Sequence, residues 1–228
     1  MKLTRREVIL IVVAVALAAV CVRLGIWQIS RLHQRQARNA ALRAAWSRPP
    51  LDLPAPVAPE SIAGRRIRAH GAYDYANENF WRPRSLDDMP GVDLVTPLRL
   101  SDGTAVLIDR GFVESADAYH VNEAAYREGD TATVDGLAFP APRGRGDVDP
   151  RALAGSVPYR LLPVVVQAES QPGAGPEFNA PRRLPPPELS NGPHLSYTIQ
   201  WFCFAVIILV GTGALLRKER AEPPVDRT

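Results

Sequence analysis

Hydrophobic residues are concentrated in two runs, one near each end of the chain. Residues 8–22 form 15 consecutive uncharged positions, and the sequence stays largely apolar for about two turns after Arg23. Residues 197–216 form 20 positions without a charge. A bilayer hydrocarbon layer of about 30 Å needs about 20 apolar helical residues. We therefore predict two transmembrane helices, over residues 8–29 and 194–216.

Basic residues set the expected orientation of these helices. The two short tails, residues 1–7 and 217–228, both contain more Lys and Arg than Asp and Glu. Cytoplasmic tails are enriched in basic residues, so both termini are expected in the cytoplasm and the intervening sequence outside it. A cleaved signal peptide is the alternative for the first run, but Trp27 and the arginine-rich sequence beyond it favour an uncleaved anchor.

The sequence between the two spans divides by composition into four segments. Residues 30–48 are rich in Ala, Arg and Gln, which predicts a helical extension of the first span. Residues 49–63 are proline-rich and predict a linker. Residues 64–169 alternate apolar and polar positions and include an Asp-Gly hairpin turn, which predicts a mainly β domain with short helices. Residues 170–193 are again proline-rich and predict a connector.

These segments together predict the fold class. We expect an α+β membrane protein in which two transmembrane helices flank a mainly β extracytoplasmic domain.

Charge and motif content exclude several classes of function. The net charge is +3 and its basic excess lies at the two ends of the chain, which argues against a nucleic-acid partner. Both cysteines, Cys21 and Cys203, lie in the apolar runs, so the middle segment has no thiolate metal site or thiol nucleophile. The sequence has no nucleophile elbow, phosphate-binding loop or H-E-x-x-H zinc motif. A hydrolase with paired carboxylates stays open, because carboxylates are plentiful and no spacing singles out a pair.

His194 is the strongest candidate for chemistry among four scattered histidines. It follows Gly192 and Pro193, which are typical of a helix start, so it lies in the first turn of the second span. The positive end of a helix disfavours imidazolium, and neutral imidazole is the form that ligates haem iron. Tyr197 and Trp201 follow at i+3 and i+7 and share its face. The residues alone leave open an ordinary histidine at the membrane surface.

Two groups of charged residues each have two interpretations. Arg31 and Arg35 lie on one face of the helical extension, where they would contact either lipid headgroups or an anionic partner. Asp109 and Arg110 are adjacent in a predicted strand and would form either a structural or a functional ion pair. The local sequence favours the structural interpretation.

Four motifs, in order along the chain, resemble those of the SURF1 family. They are LGIWQISR at residues 24–31, GAYDYANENFWRPR at 71–84, VTPLRLSDGTAVLIDRGFV at 95–113 and HLSYTIQWFCFA at 194–205. The resemblance as a whole covers nearly the whole chain and misses only the tails and the least regular loops. The sequence departs from the family pattern before the last motif, where Gly192 and Pro193 separate Asn191 from the histidine.

This resemblance implies a membrane protein that is not an enzyme and is needed for the assembly of haem-copper cytochrome c oxidase. It implies transient binding of haem a, with the catalytic subunit of the oxidase, the enzymes of haem a biosynthesis and the lipid bilayer as partners. A permanent accessory subunit of the oxidase and a copper-delivery factor are the alternatives. Because no transit peptide precedes the first span, we expect a bacterial plasma (inner) membrane, with the β domain in the periplasm.

The resemblance also implies roles for individual residues. It makes His194 the ligand of the haem iron, beside the aromatic surface of the same helix. If the two spans pack together, Arg31 and Arg35 would pair with the haem propionates. Gln28, one turn after a glycine on the first span, would then donate a hydrogen bond between the helices.

Overall fold

The computed structural model of the chain describes residues 3–58, 61–142, 144, 147–169 and 180–221. The chain divides into two compact units. Met1–Ala41 and Leu189–Thr228 form the helical unit, and Leu42–Glu188 form the β unit.

The described residues contain three α-helices, seven strands and two short 3-10 turns. The helices are α1 (Arg5–Trp46), α2 (Pro150–Leu153) and α3 (His194–Ala221). The strands are β1 (Leu51–Leu53), β2 (Arg66–Tyr73), β3 (Asn79–Leu86), β4 (Met89–Arg99), β5 (Thr104–Glu114), β6 (Thr131–Pro140) and β7 (Arg160–Ala168). The 3-10 turns are Tyr75–Asn77 and Glu123–Tyr126.

The helix α1 begins at a capping box. The Thr4 hydroxyl accepts a hydrogen bond from the backbone N–H of Glu7, and the Glu7 carboxylate accepts one from the backbone N–H of Thr4 at 2.7 Å. These reciprocal bonds satisfy N–H groups that a helix start leaves unpaired. The same carboxylate accepts from Nε of Arg220 at 2.8 Å. The start of α1 therefore lies beside the end of α3, and the two helices are antiparallel.

Small residues of α1 line its contact with α3. Ala14, Ala18, Cys21 and Gly25 recur at intervals of four and three residues, and all are buried. This is the spacing of a left-handed helix pair. A Cβ at Gly25 would lie 2.9 Å from the ring of Phe202, so a larger residue there would displace that ring from the contact. Both helices are long and apolar enough to cross a membrane.

Five strands of the β unit form a closed barrel. Their order is β2-β6-β7-β5-β4, and β4 pairs back to β2 through Arg99 with Ala72 and Leu98 with Tyr73. The β5–β7 pair is parallel, and the other pairs in the ring are antiparallel. Outside this ring, β1 runs parallel to β2, and β3 runs antiparallel to β4.

Closure of the barrel depends on a glycine. A Cβ at Gly71 in β2 would overlap the carbonyl oxygen of Arg99 in β4, so glycine lets the two backbones meet where the ring closes. Apolar side chains fill the interior. Those with no exposed surface include Ile67, Leu98, Val106, Ile108 and Val166.

The segment predicted as a linker, residues 49–63, is partly integral to the β unit. It contains β1, whose Leu53 is buried in the main core together with Ile62. The prolines around β1 limit it to three residues on one edge of β2. A proline-rich composition therefore did not mean an unpacked segment.

The mixed α+β class is as expected, and the closed barrel is an addition that alternation alone did not predict. The helix α1 runs without a break to Trp46, through the segment expected as a helical extension. Within the expected connector, residues 170–179 lie outside the described residues. Further along it, Arg182 exchanges two backbone hydrogen bonds with Phe112 of β5.

Candidate functional site

The candidate site lies where α3 begins, at His194. The ring nitrogen Nδ1 of His194 lies 2.9 Å from Oε1 of Gln28 on α1. An amide oxygen carries no hydrogen, so Nδ1–H is the donor of this bond. In the neutral ring, Nε2 then carries the lone pair and is the nitrogen available to a ligand. Gln28 is buried and His194 is half-buried, so the bond sits at the edge of the contact between the helices.

Close helix packing positions this pair. Gly25, one turn before Gln28, contacts the ring of Phe202. One turn after His194, the buried hydroxyl of Thr198 donates to the His194 carbonyl at 2.9 Å. The side chains on both sides of the hydrogen bond are therefore fixed by packing between α1 and α3.

A second polar residue of α1 holds the chain that leads into α3. The side-chain amide of Asn39, only 4% exposed, donates to the carbonyl oxygens of Leu189 and Ser190, each at 3.1 Å, and to Oδ1 of Asn191 at 3.2 Å. Nε of Arg35 donates to the same Ser190 carbonyl at 3.2 Å. These bonds fix the backbone just before His194.

Sequence reasoning missed Asn39. Its position was the available signal, because Asn39 lies three turns beyond Gln28 on the face of α1 that carries Gly25. A polar side chain on that face, next to alanine and arginine, indicates a specific contact.

Gly192 keeps the free nitrogen of His194 accessible. It adopts φ of +69°, a conformation that favours glycine. A Cβ at this position would lie 3.6 Å from both Nε2 and Cδ2 of His194. A side chain at residue 192 would therefore cover the nitrogen that the Gln28 bond leaves free. The glycine that departs from the family pattern before the histidine therefore affects access to Nε2.

The remaining predicted site residues are placed differently from one another. Tyr197 is 46% exposed on the outer surface of α3. Trp201 packs against the buried cluster of Ala18, Cys21 and Ala205, and meets Phe204 edge-on at 5.9 Å. Trp201 therefore contributes to the contact between the helices as well as to the surface.

The two predicted arginines also differ. Arg31 is exposed, and its Nη1 donates to the side chain of Gln34 at 3.1 Å. Arg35 is exposed too, but its Nε is engaged by the carbonyl of Ser190. The expected interhelical bond of Gln28 is present with its direction reversed, since Gln28 accepts from His194 where it was expected to donate.

Comparison with known proteins settles the family. The model of the SURF1 family matches residues 15–206. This chain belongs to the SURF1 family. A SURF1-like protein from Monosiga brevicollis is 29% identical in an alignment of 237 positions, which covers 88% of this chain and 87% of that protein. An uncharacterized SURF1-like protein from Mycobacterium tuberculosis is 24% identical in an alignment of 247 positions, which covers 96% of this chain and 89% of that protein. Surfeit locus protein 1 of Homo sapiens is 28% identical over 107 residues, covering 40% and 36%.

In this SURF1-family chain, the motifs of the β unit converge on Arg110, which has no exposed surface. Its Nη2 lies 2.7 Å from the Glu78 carboxylate and its Nη1 lies 2.9 Å from that of Glu128. Its Nε donates to the Thr96 hydroxyl at 2.8 Å, and its guanidinium lies over the ring of Tyr75 at 5.1 Å. With its charge paired and its donors engaged, Arg110 is part of the framework.

The expected ion pair between Asp109 and Arg110 is therefore wrong. Adjacent residues of a strand point to opposite faces of the sheet, so the two side chains cannot meet. Asp109 is buried on the other face, where its Oδ1 accepts from the backbone N–H of Gly111. Burial, and then the nearby charge of Asp93, raises the pKa of Asp109 to about 7. The pKa of Asp93 is also raised by burial, against the opposing effect of Arg84.

Proposed function

We propose that this protein is a non-enzymatic assembly factor for haem-copper cytochrome c oxidase, which binds haem a and assists its insertion into the catalytic subunit. The observation that carries the proposal is the hydrogen bond from His194 Nδ1 to Gln28. That bond leaves Nε2 with the lone pair that ligation of haem iron requires. Membership of the SURF1 family supports the same role.

Four residues of the helical unit would have distinct roles in holding the haem iron. His194 would supply the iron ligand, and Gln28 would hold the imidazole in one tautomer and orientation. Asn39 would keep the preceding turn in place. Gly192 would leave room beside Nε2. These four residues bind or orient, and none of them is asked to transfer a proton.

The outer residues suit the rest of an amphiphilic macrocycle. Tyr197 and Trp201 offer aromatic surface one and two turns along α3. Arg31 offers an exposed guanidinium for a propionate. Arg35 would pair through its terminal nitrogens, because its Nε is held by a carbonyl. A single protein ligand at an exposed edge suits a carrier that must release haem a to the oxidase.

The proposal places the protein in a bacterial plasma membrane as a two-pass protein with both termini in the cytoplasm. Two apolar antiparallel helices support it, as does the excess of basic residues in the tails. The β unit would then be periplasmic. A reporter fused after Thr228 should be active only in the cytoplasm, and periplasmic activity of that fusion would contradict this topology.

Two alternatives stand beside this proposal. A copper-delivery factor needs clustered soft or imidazole ligands. Across the part of the chain that the structure describes, no group of three His, Cys, Asp or Glu side chains is arranged to hold a metal ion. A permanent accessory subunit would co-purify with the mature oxidase in equal amounts, whereas an assembly factor would not.

Deletion and complementation test the proposed function in the cell. We expect that deleting the gene lowers the haem a content and activity of the oxidase, and that the wild-type gene restores both. A gene encoding His194→Ala should give protein in the membrane but restore little haem a. Normal oxidase in the deletion strain would remove the assembly role altogether.

A further inference from the structure

Arg23 is a charged residue inside the apolar part of α1. The hydrogen bond between Gln28 and His194 sets the register of the two helices. Arg23 precedes Gln28 by five residues, which is about 7.5 Å along the helix axis. It therefore lies at the level of Ile199, within the uncharged stretch that α3 carries from residue 197 to 216. A guanidinium at such a depth is costly unless it finds a partner.

That partner does not come from α3. Arg23 lies two residues from both Cys21 and Gly25, which face α3, and it is therefore about 160° around the helix from each of them. Its side chain is exposed. Among the residues that the structure describes, Arg23 has no hydrogen bond or ion pair. Its counter-charge must be supplied by another molecule.

The surface around Arg23 is concave and amphipathic. An open groove of about 430 Å³ runs along this face of α1, lined by Arg23, Leu24, Ile26, Trp27 and Ser30. Trp27 is 53% exposed, and tryptophan is enriched at the level of lipid headgroups. The hydroxyl of Ser30 already donates to the Ile26 carbonyl. Arg23 is the charged residue among the five that line the groove.

We propose that this groove, residues 23–30, binds the phosphodiester group of an outer-leaflet phospholipid through Arg23. Guanidinium pairs with phosphate through two parallel hydrogen bonds, and a long side chain reaches outward from the apolar layer to that level. A second membrane helix fits this surface less well. Such helices pack on small residues, whereas the lining of this groove includes the bulky side chains of Trp27 and Ile26. The inference rests on the proposed membrane insertion and is independent of haem binding.

Native mass spectrometry of the full chain tests the proposal. The protein is reconstituted in vesicles of phosphatidylethanolamine and phosphatidylglycerol, then extracted in detergent, and its retained phospholipids are counted. We expect a wild-type population with one tightly held phospholipid, and an about tenfold smaller population for Arg23→Gln, equivalent to about 1.4 kcal/mol. Arg23→Lys should retain an intermediate amount, because it keeps the charge without the planar fork.

Matched variants separate this site from other effects. Arg38→Gln removes an exposed arginine farther along α1 and should retain the phospholipid as wild type does. His194→Ala should retain it too, so a failed haem assignment does not alter this test. If Arg23→Gln inserts poorly into the membrane, Trp27→Ala provides the test instead. Loss of the indole opens the groove, so this variant should also retain less phospholipid. Unchanged phospholipid retention in both Arg23→Gln and Trp27→Ala would overturn the proposal. The proposal would also fail if Arg23→Gln lost a co-purifying membrane subunit while its phospholipid stayed unchanged.

Discussion

Arg110 in the β unit and His194 in the helical unit show opposite arrangements of a polar side chain. In the β unit, Arg110 is sealed from solvent with its charge balanced by Glu78 and Glu128 and its Nε bonded to Thr96. In the helical unit, Nδ1 of His194 is hydrogen-bonded to Gln28, and Nε2 remains accessible beside Gly192. A satisfied polar network specifies structure, whereas a half-satisfied imidazole at an accessible edge is arranged to accept something else. The comparison therefore gives Arg110 a framework role and supports the binding role proposed for the start of α3.

Removing the central charge of the β unit should have the largest effect. Arg110→Met leaves the carboxylate of Glu78 buried without a counter-charge, while Glu128 keeps its ion pair with Arg183, and the loss should cost about 3–5 kcal/mol of unfolding free energy. Denaturant unfolding of the full chain in detergent measures it. Arg127→Met removes an exposed arginine that also stacks on Tyr75 and should cost at most about 1 kcal/mol. Equal losses in the two variants would mean that Arg110 is not the framework residue described above.

The pH dependence of stability should report the buried carboxylate of Asp109. Its pKa is raised from 3.8 to about 7, so the folded state holds a proton that the unfolded state has released. This stability is complete below about pH 4 and is lost as the pH rises through 7, with a total on the order of 4 kcal/mol. Asp109→Asn should flatten the unfolding free energy between pH 4 and 7.

An exposed carboxylate provides the control for that measurement. Hydrogen bonds from Thr104 lower the pKa of Asp102, so its contribution is lost only as the pH falls below that window. Asp102→Asn should therefore leave the slope between pH 4 and 7 as it is in the wild type. A wild-type slope of the opposite sign would show that Asp109 is ionised in the folded protein.

Closure of the barrel should be sensitive to one methyl group. Gly71→Ala places a Cβ where the Arg99 carbonyl lies and should cost about 2 kcal/mol, because two backbones must move apart. Gly155→Ala meets no atom within 4 Å and should stay within about 0.5 kcal/mol of wild type. Thermal unfolding of the two variants side by side makes the comparison, and equal midpoints would mean that β2 and β4 do not meet at Gly71.

A smaller effect is expected where only the orientation of His194 changes. Gln28→Leu removes the acceptor of Nδ1–H and should weaken haem a binding about tenfold, with a shift in the haem spectrum. Gln28→Glu restores an acceptor and should recover both. Gln36→Leu changes an exposed glutamine of the same helix and should alter neither. A Gln28→Leu protein with wild-type affinity and spectrum would leave His194 without a positioning partner.

The elements that sequence reasoning found are those whose cause is local. Two uncharged runs predict α1 and α3, a Gly-Pro pair predicts the start of α3 at His194, and an Asp-Gly pair predicts the turn between β4 and β5. Each of these signals lies within a few residues of the structure it produces.

The elements that it missed depend on residues distant in sequence. Barrel closure rests on two residue pairs between β2 and β4, and Arg110 takes partners 32 and 18 residues away. Asn39 binds a turn 150 residues along the chain. The error at Asp109 was avoidable, because strand alternation already places neighbouring residues on opposite faces.

Titration of the purified full chain with haem a tests the central claim most directly. We expect a haem spectrum with nitrogen ligation in the wild type, and the same spectrum in His33→Ala, His70→Ala and His120→Ala. In His194→Ala, haem absorbance should be lost or shifted while the protein stays folded in detergent. An unchanged haem spectrum in His194→Ala would contradict the assignment of Nε2 of His194 as the ligand.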